Sequence, residues 1–187
     1  EHRWDRTGDR RGRDRRPGAR QGRRAAADHG GRGLGGGDCA GSPYFTHIGE
    51  DDFRVLLSGL SGGDRTTAGR QVPFCLFTDP ELARIGLSER EARARNVGYR
   101  LLKVPMASVL RARTISETRG FYKALIEEDG DRILGFTAFG PEAGEVMAVV
   151  QVAMLAGLPY TRLRDAVLTH PTMTEGLSNL FSSRPLD

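Results

Sequence analysis

Two apolar runs of strand length, Gly120 to Glu127 and Ile133 to Phe139, flank the turn-forming tetrad Glu128-Asp129-Gly130-Asp131. Such a stretch must fold back on itself, and Asp129-Gly130 readily supplies the positive φ angles of a tight hairpin. The sequence therefore predicts an antiparallel pair. A lone hairpin is marginal in water unless something covers its apolar face. Cover follows at once in the chain. Gly140-Pro141 opens a helix expected over Glu142 to Ala156, with Pro141 near its first position and Gly157 as its stop. Val146, Val149, Val150, Ala153, Met154 and Leu155 nearly surround this helix, which predicts burial, in part against another subunit.

The neighbouring elements fit the same plan. Tyr99 to Pro105 reads as a third strand, and Pro73 to Thr78 as a further short one stopped by Asp79-Pro80. Ser88-Glu89-Arg90-Glu91 has the spacing of a capping box, so a helix should run to about Asn96. Further helices are expected over Thr161 to Leu168 and Met173 to Phe181. A helix from Phe45 to Leu57 would use Phe45, Ile48, Phe53, Leu56 and Leu57 as its apolar positions. The polar, Gly-rich stretch after it reads as a linker. Strands with helices packed on them give an α+β fold with an antiparallel sheet.

The first 36 residues differ in kind. They hold 11 of the 28 Lys and Arg and 5 of the 24 Asp and Glu, so this tail carries +6 and the remainder −2. Six apolar side chains among nine glycines cannot offset the entropy of ordering such a segment, and an unstructured tail is expected. The arginines suggest a nucleic-acid arm acting by counterion release, which would make the chain an Arg/Gly-rich nucleic-acid-binding protein on an unrelated α+β domain. Against this, five acids interrupt the arginines and Trp4 is the tail's one aromatic, so a stacking platform is missing.

Other classes are excluded more simply. No run approaches the roughly 20 apolar residues of a membrane span, and the N-terminus shows no signal-peptide core. Cys39 and Cys75 are too far apart for a CxxC or CxxxxC redox motif, and two cysteines with four histidines are too few for a zinc site, so no metal is expected. A reducing, cytoplasmic setting is the default for such a chain.

Chemistry concentrates in Leu168-Thr169-His170-Pro171-Thr172-Met173-Thr174-Glu175. The proline keeps His170 out of any helix. Glu175, five residues on and at the start of the next helix, can fold back to one imidazole nitrogen, fix the tautomer and leave the other nitrogen as a general acid or base. The same residues also fit an ordinary helix-start turn, with Glu175 favoured by the helix dipole.

The order and spacing of GDCAGSP, VPFCLFTDPELARIGLSE, VPM, ETRGFYKALIE, ILGFTAFGPEAGEVM and LTHPTMTEGL resemble the C-terminal part of the FAD-dependent pyridine nucleotide-disulfide oxidoreductases, over about Gly37 to Leu180. That family includes dihydrolipoamide dehydrogenase, glutathione reductase and mercuric reductase. The resemblance implies a disulfide-reductase dimerisation domain over 71–187 and a flavin-domain remnant over 37–70. It implies His170 as the acid/base that exchanges a proton with the redox-active thiol and Glu175 as the group that orients it, the dyad serving the other subunit of a homodimer. It implies that Asp38 accepts hydrogen bonds from the ribityl chain of FAD and that Gly37 lets the backbone approach it. Asp79 and Pro80 match a structural turn.

FAD and NAD(P) are thus the cofactors expected of the intact enzyme, and a disulfide its substrate. The family's GxGxxG fingerprint, redox cysteine pair and NAD(P) domain are not found before Gly37, so these 187 residues are expected to be inactive alone. The C-terminal FSSRPLD lacks the paired cysteines of mercuric reductases, which argues against mercury as substrate.

The tail has its own explanation. Asp28 to Gly36, written in suitable codons and read one base later, becomes TTAGGVWAV, resembling the family strand that runs into GDCAG. The ratio of 26 Arg to 2 Lys points to a GC-rich coding sequence, whose shifted frames yield Arg, Gly and Ala. The expectation is that Glu1 to Gly36 is a frameshifted translation of a flavin-domain segment.

Overall fold

The hairpin forms from β4 (Phe121–Glu127) and β5 (Ile133–Gly140), paired antiparallel with Phe121 opposite Phe139 and Lys123 opposite Thr137. The structure, a computed structural model, describes residues 34–186. The turn differs from expectation: neither Asp129 nor Gly130 has a positive φ. A register shift between Leu125 and Ile126 precedes a wider loop, closed by the Gly130 N–H on the Glu127 carbonyl at 3.4 Å and the Glu127 N–H on the Arg132 carbonyl at 3.0 Å. Arg100 stabilises this loop from the neighbouring strand, donating Nε–H to the Glu127 carbonyl at 3.3 Å and a terminal N–H to that of Gly130. With the carbonyls satisfied by a guanidinium, the loop has no need of a mirror-image tight turn.

Around the hairpin lie β1 (Phe74–Leu76), β2 (Glu81–Gly86) and β3 (Tyr99–Pro105), in the order β1-β2-β5-β4-β3, every pair antiparallel. The pleat sends alternate residues to opposite faces. Val104, Tyr122, Ala138 and Ala83 form one cross-strand row, and Leu102, Ala124, Phe136 and Ile85 the next, all buried. Fully burying rings such as Tyr122 and Phe136 contributes about 1.5–3 kcal/mol each. This face is covered by α4 (Ala143–Leu155), lying on β2 and β5, and by α6 (Gly176–Phe181), lying on β3 and β4. The α+β architecture with an antiparallel sheet and packed helices is therefore as expected.

Several boundaries differ. Strand β2 was not foreseen: Glu81 and Arg84 interrupt its apolar residues, and its pairing is supplied by β1 and β5, the latter some fifty residues away. The short helix α3 (Leu110–Thr114) was also missed. Helix α2 (Glu89–Ala94) has the full capping box but stops earlier, because Asn96 takes a left-handed φ of 53° and the Val97 N–H turns back to the Ala92 carbonyl at 2.9 Å. Helix α5 (Tyr160–Arg164) ends well before Leu168: Arg164 forks onto Asp165 at 2.7 and 2.9 Å, and Val167 beyond is fully exposed, so no burial favours another turn.

Helix α6 starts at Gly176 rather than Met173, because Met173 is buried and its carbonyl is taken by Tyr122. Helix α4 ends as expected, with Gly157 at φ 63° and the Leu158 N–H on the Ala153 carbonyl at 2.9 Å. Its outer flank is not buried in the single chain: Val152 and Leu155 are each 65% exposed.

The chain divides between Gly69 and Arg70 into two compact units. In the first, a 3-10 turn (Gly37–Ala40) precedes α1 (Thr46–Leu60), which starts one residue later and ends three residues later than expected. Its buried face is Ile48, Asp52 and Val55, whereas Phe53 and Leu57, expected to be covered, are exposed. The arginine-rich tail, apart from its last three residues, lies outside the described residues.

Candidate functional site

His170 and Glu175 meet. The imidazole Nδ1 stands 2.8 Å from Glu175 Oε1 and 3.1 Å from Oε2, with the His170 side chain 62% exposed. Glu175 is the residue immediately before α6 rather than within its first turn. Nδ1 faces a carboxylate, which can only accept, so the neutral ring carries its proton on Nδ1 and keeps the Nε2 lone pair for another partner. A group held in this way can take a proton at Nε2 and return it.

The loop bearing this pair is held on both sides. On the inside, the Tyr122 hydroxyl donates to the Met173 carbonyl at 3.2 Å, and the Gly176 N–H reaches the same carbonyl at 3.1 Å. Burial, with a lesser contribution from the Glu142 carboxylate, pushes the Tyr122 phenol well above its ordinary value, so it remains a donor at all physiological pH. On the outside, Thr172 donates Oγ–H to the Thr169 carbonyl at 2.8 Å and accepts the Glu175 N–H at 3.2 Å. Gly176 is required by close approach: a Cβ there would lie 2.7 Å from both Tyr122 Cε2 and Val109 Cγ2.

The other two candidates lie in the first unit. Gly37 has φ 69°, a conformation that side chains rarely adopt, and its N–H donates to Asp52 Oδ2 at 2.8 Å. Asp38 follows with an exposed carboxylate, while its carbonyl accepts the Gly41 N–H at 3.0 Å. An exposed carboxylate beside a glycine backbone fits the hydroxyls of a polyol such as the ribityl chain. Nothing in this turn provides a pyrophosphate cradle.

Neither cysteine is in a disulfide. Burial pushes the Cys75 thiol up, and the carboxylates of Glu81 and Glu145 push it further, which disfavours the thiolate. Among the described residues no cluster of His, Cys, Asp and Glu could hold a metal ion, and no helix is long and apolar enough to cross a membrane.

Residues 72–181 match the family model of the pyridine nucleotide-disulphide oxidoreductase dimerisation domain. The chain belongs to this family. Over 148 residues it is 39% identical to the "Probable pyridine nucleotide-disulfide oxidoreductase RclA" of Escherichia coli (strain K12), covering 78% of this chain and 34% of that protein. It is 32% identical over 149 residues to mitochondrial dihydrolipoyl dehydrogenase of Homo sapiens, covering 79% of this chain and 29% of the other. The solved structure of the HOCl-induced flavoprotein disulfide reductase RclA from Escherichia coli is similar with a TM-score of 0.79 and 36% identity, covering 84% of this chain and 37% of that one. The chain spans about a third of the length of the curated relatives it matches. The α+β domain of this disulfide oxidoreductase family member is thus not the unrelated one that the nucleic-acid reading required.

Sequence analysis did not single out Asp52, Tyr122 or Thr172. A signal existed for each. Asp52 is an acid at a core position of a helix, four residues from Ile48 and three from Val55. Tyr122 carries a hydroxyl on the apolar face of a strand, where a partner is obligatory. Thr172 lies three residues before Glu175, a spacing at which a hydroxyl accepts a backbone N–H.

Proposed function

We propose that this chain is the C-terminal part of a flavin-dependent NAD(P)H:disulfide oxidoreductase, supplying the homodimer interface and a His170–Glu175 acid–base dyad. The observation that carries the reading is the two-oxygen contact of Glu175 with His170 Nδ1. Glu175 fixes the orientation of the ring and holds its Nδ1. Nε2 takes the proton of a thiol as that sulfur becomes a thiolate, and returns it when a thiolate leaves a disulfide. Gly37 and Asp38 would hold the flavin's ribityl chain, Gly37 by its conformation and Asp38 by accepting hydroxyl hydrogens. FAD, when bound, supplies the two-electron relay between NAD(P)H and the disulfide.

The family match and the share of the relatives' length that is covered support a chain that is only part of the enzyme. With neither cysteine in a redox-motif spacing, the 187 residues are inactive alone, and Glu1 to Gly36 represents a frameshifted flavin-domain segment. Resequencing the encoding DNA tests the last point: a single-base gap near the Gly36 and Gly37 codons supports it, and a clean read without one refutes it. For the dyad, the chain restored with upstream domains should be yellow, and His170→Gln should slow disulfide turnover by roughly 100-fold or more while leaving flavin absorbance intact. Unchanged turnover would remove the catalytic assignment.

A further inference from the structure

We propose that Thr172 is a positioning residue for the His170–Glu175 pair, its hydroxyl bracing the loop between them. The hydroxyl donates to the carbonyl of Thr169, the residue before the histidine, and accepts the N–H of Glu175 itself. One oxygen thus ties together the two stretches of backbone whose relative placement sets the distance from imidazole to carboxylate. It also satisfies an N–H at the start of α6 that has no partner within the helix. The inner side of the loop is held separately, by Tyr122 on the Met173 carbonyl and by the burial of Met173. Loss of the Thr172 hydroxyl therefore loosens the pair without unfolding the domain.

The catalytic meaning of this brace rests on the acid–base reading above, but its effect on the ring does not. A carboxylate on Nδ1 selects the Nδ1–H form, which a solvated neutral imidazole disfavours. The test is long-range 15N NMR of the 187-residue chain at about pH 8.5, about two units above the ordinary histidine value, with His170 assigned by comparison with His170→Gln. The wild-type chain is expected to show His170 mainly as Nδ1–H. Thr172→Val should lower the Nδ1–H to Nε2–H ratio by roughly threefold or more, a factor within the reach of one hydrogen bond. Thr172→Ser should restore it.

A ratio unchanged in Thr172→Val overturns the role of Thr172 and leaves the dyad standing. A wild-type ring found as Nε2–H overturns the pairing and the brace together. Thr172→Ala is measured beside Thr172→Val, and collapse of the near-UV circular dichroism in both would make Thr172 a folding residue and overturn the proposal too.

Discussion

The Tyr122 hydroxyl, on the sheet's buried face, holds the Met173 carbonyl at 3.2 Å, three residues beyond His170. The candidate site is thereby anchored to the sheet through a buried hydrogen bond. Rigid support of this kind is what the proposed acid–base role requires, because small misplacements of a reacting group lower rates steeply.

Removing that hydroxyl leaves a buried carbonyl with only the Gly176 N–H. Tyr122→Phe is expected to cost about 1–2 kcal/mol, read as a fall in the denaturant midpoint. The same residue sets an alkaline limit. Its folded pKa is raised, so its contribution is complete below the unfolded value of about 10 and is lost as pH rises beyond it. Wild-type stability should decline above about pH 10, and Tyr122→Phe should decline less. An identical alkaline limb in both proteins would remove Tyr122 from the account.

Gly176 presses against Tyr122 and Val109 so closely that even one methyl group must displace something. Gly176→Ala is expected to destabilise by about 1–3 kcal/mol, the range for overpacking a full core. Because Glu175 is the adjoining residue, the same change should also disturb the His170 tautomer. Calorimetry together with 15N NMR checks both effects.

The α2 capping box has an acid-sensitive half. The Ser88 hydroxyl and N–H, with help from Arg84, hold the Glu91 carboxyl below its ordinary value, the hydroxyl contributing most. Stability from this group is present above the unfolded pKa and lost as pH falls through the lower folded one. Glu91→Gln should therefore be less stable than wild type at pH 7, by less than about 1 kcal/mol for so exposed a site. The gap should close on acidification below about pH 4. A constant difference from pH 7 to pH 3 would refute the assignment.

Legibility followed the range of the interactions. The β4–β5 hairpin and the end of α4 were readable because their signals are local: apolar runs, turn residues, and a glycine past the last helical residue. Strand β2 was not, since Glu81–Gly86 carries no alternation strong enough to declare itself and becomes a strand by pairing with β5. The Asp129-Gly130 turn misled for a related reason: Arg100, distant in sequence, supplies hydrogen bonds that a local reading cannot anticipate. At the candidate site, His170 and Glu175 stood out by residue type and spacing. Their supports were harder to read: the spacing of Thr172 and the hydroxyl of Tyr122 signal that a partner is needed, but which partner each finds is decided by the fold.

The outer flank of α4 bears on assembly. Val152 and Leu155 lie three apart on one side of the helix and are each 65% exposed, although the opposite side, Val146, Val150 and Ala153, is buried. Helices of a single-chain domain normally turn polar residues outward, and an exposed apolar stripe marks a surface that another protein covers. In a dimerisation domain that surface is expected to meet the second subunit. Sedimentation of the 187-residue chain should give a dimer, and Val152→Asp with Leu155→Asp should give a monomer with unchanged far-UV circular dichroism. Two charges buried without partners would cost an interface several kcal/mol, enough to shift the equilibrium by orders of magnitude, whereas on a free surface they would change little. A double variant that sediments as a dimer like wild type would place the interface elsewhere.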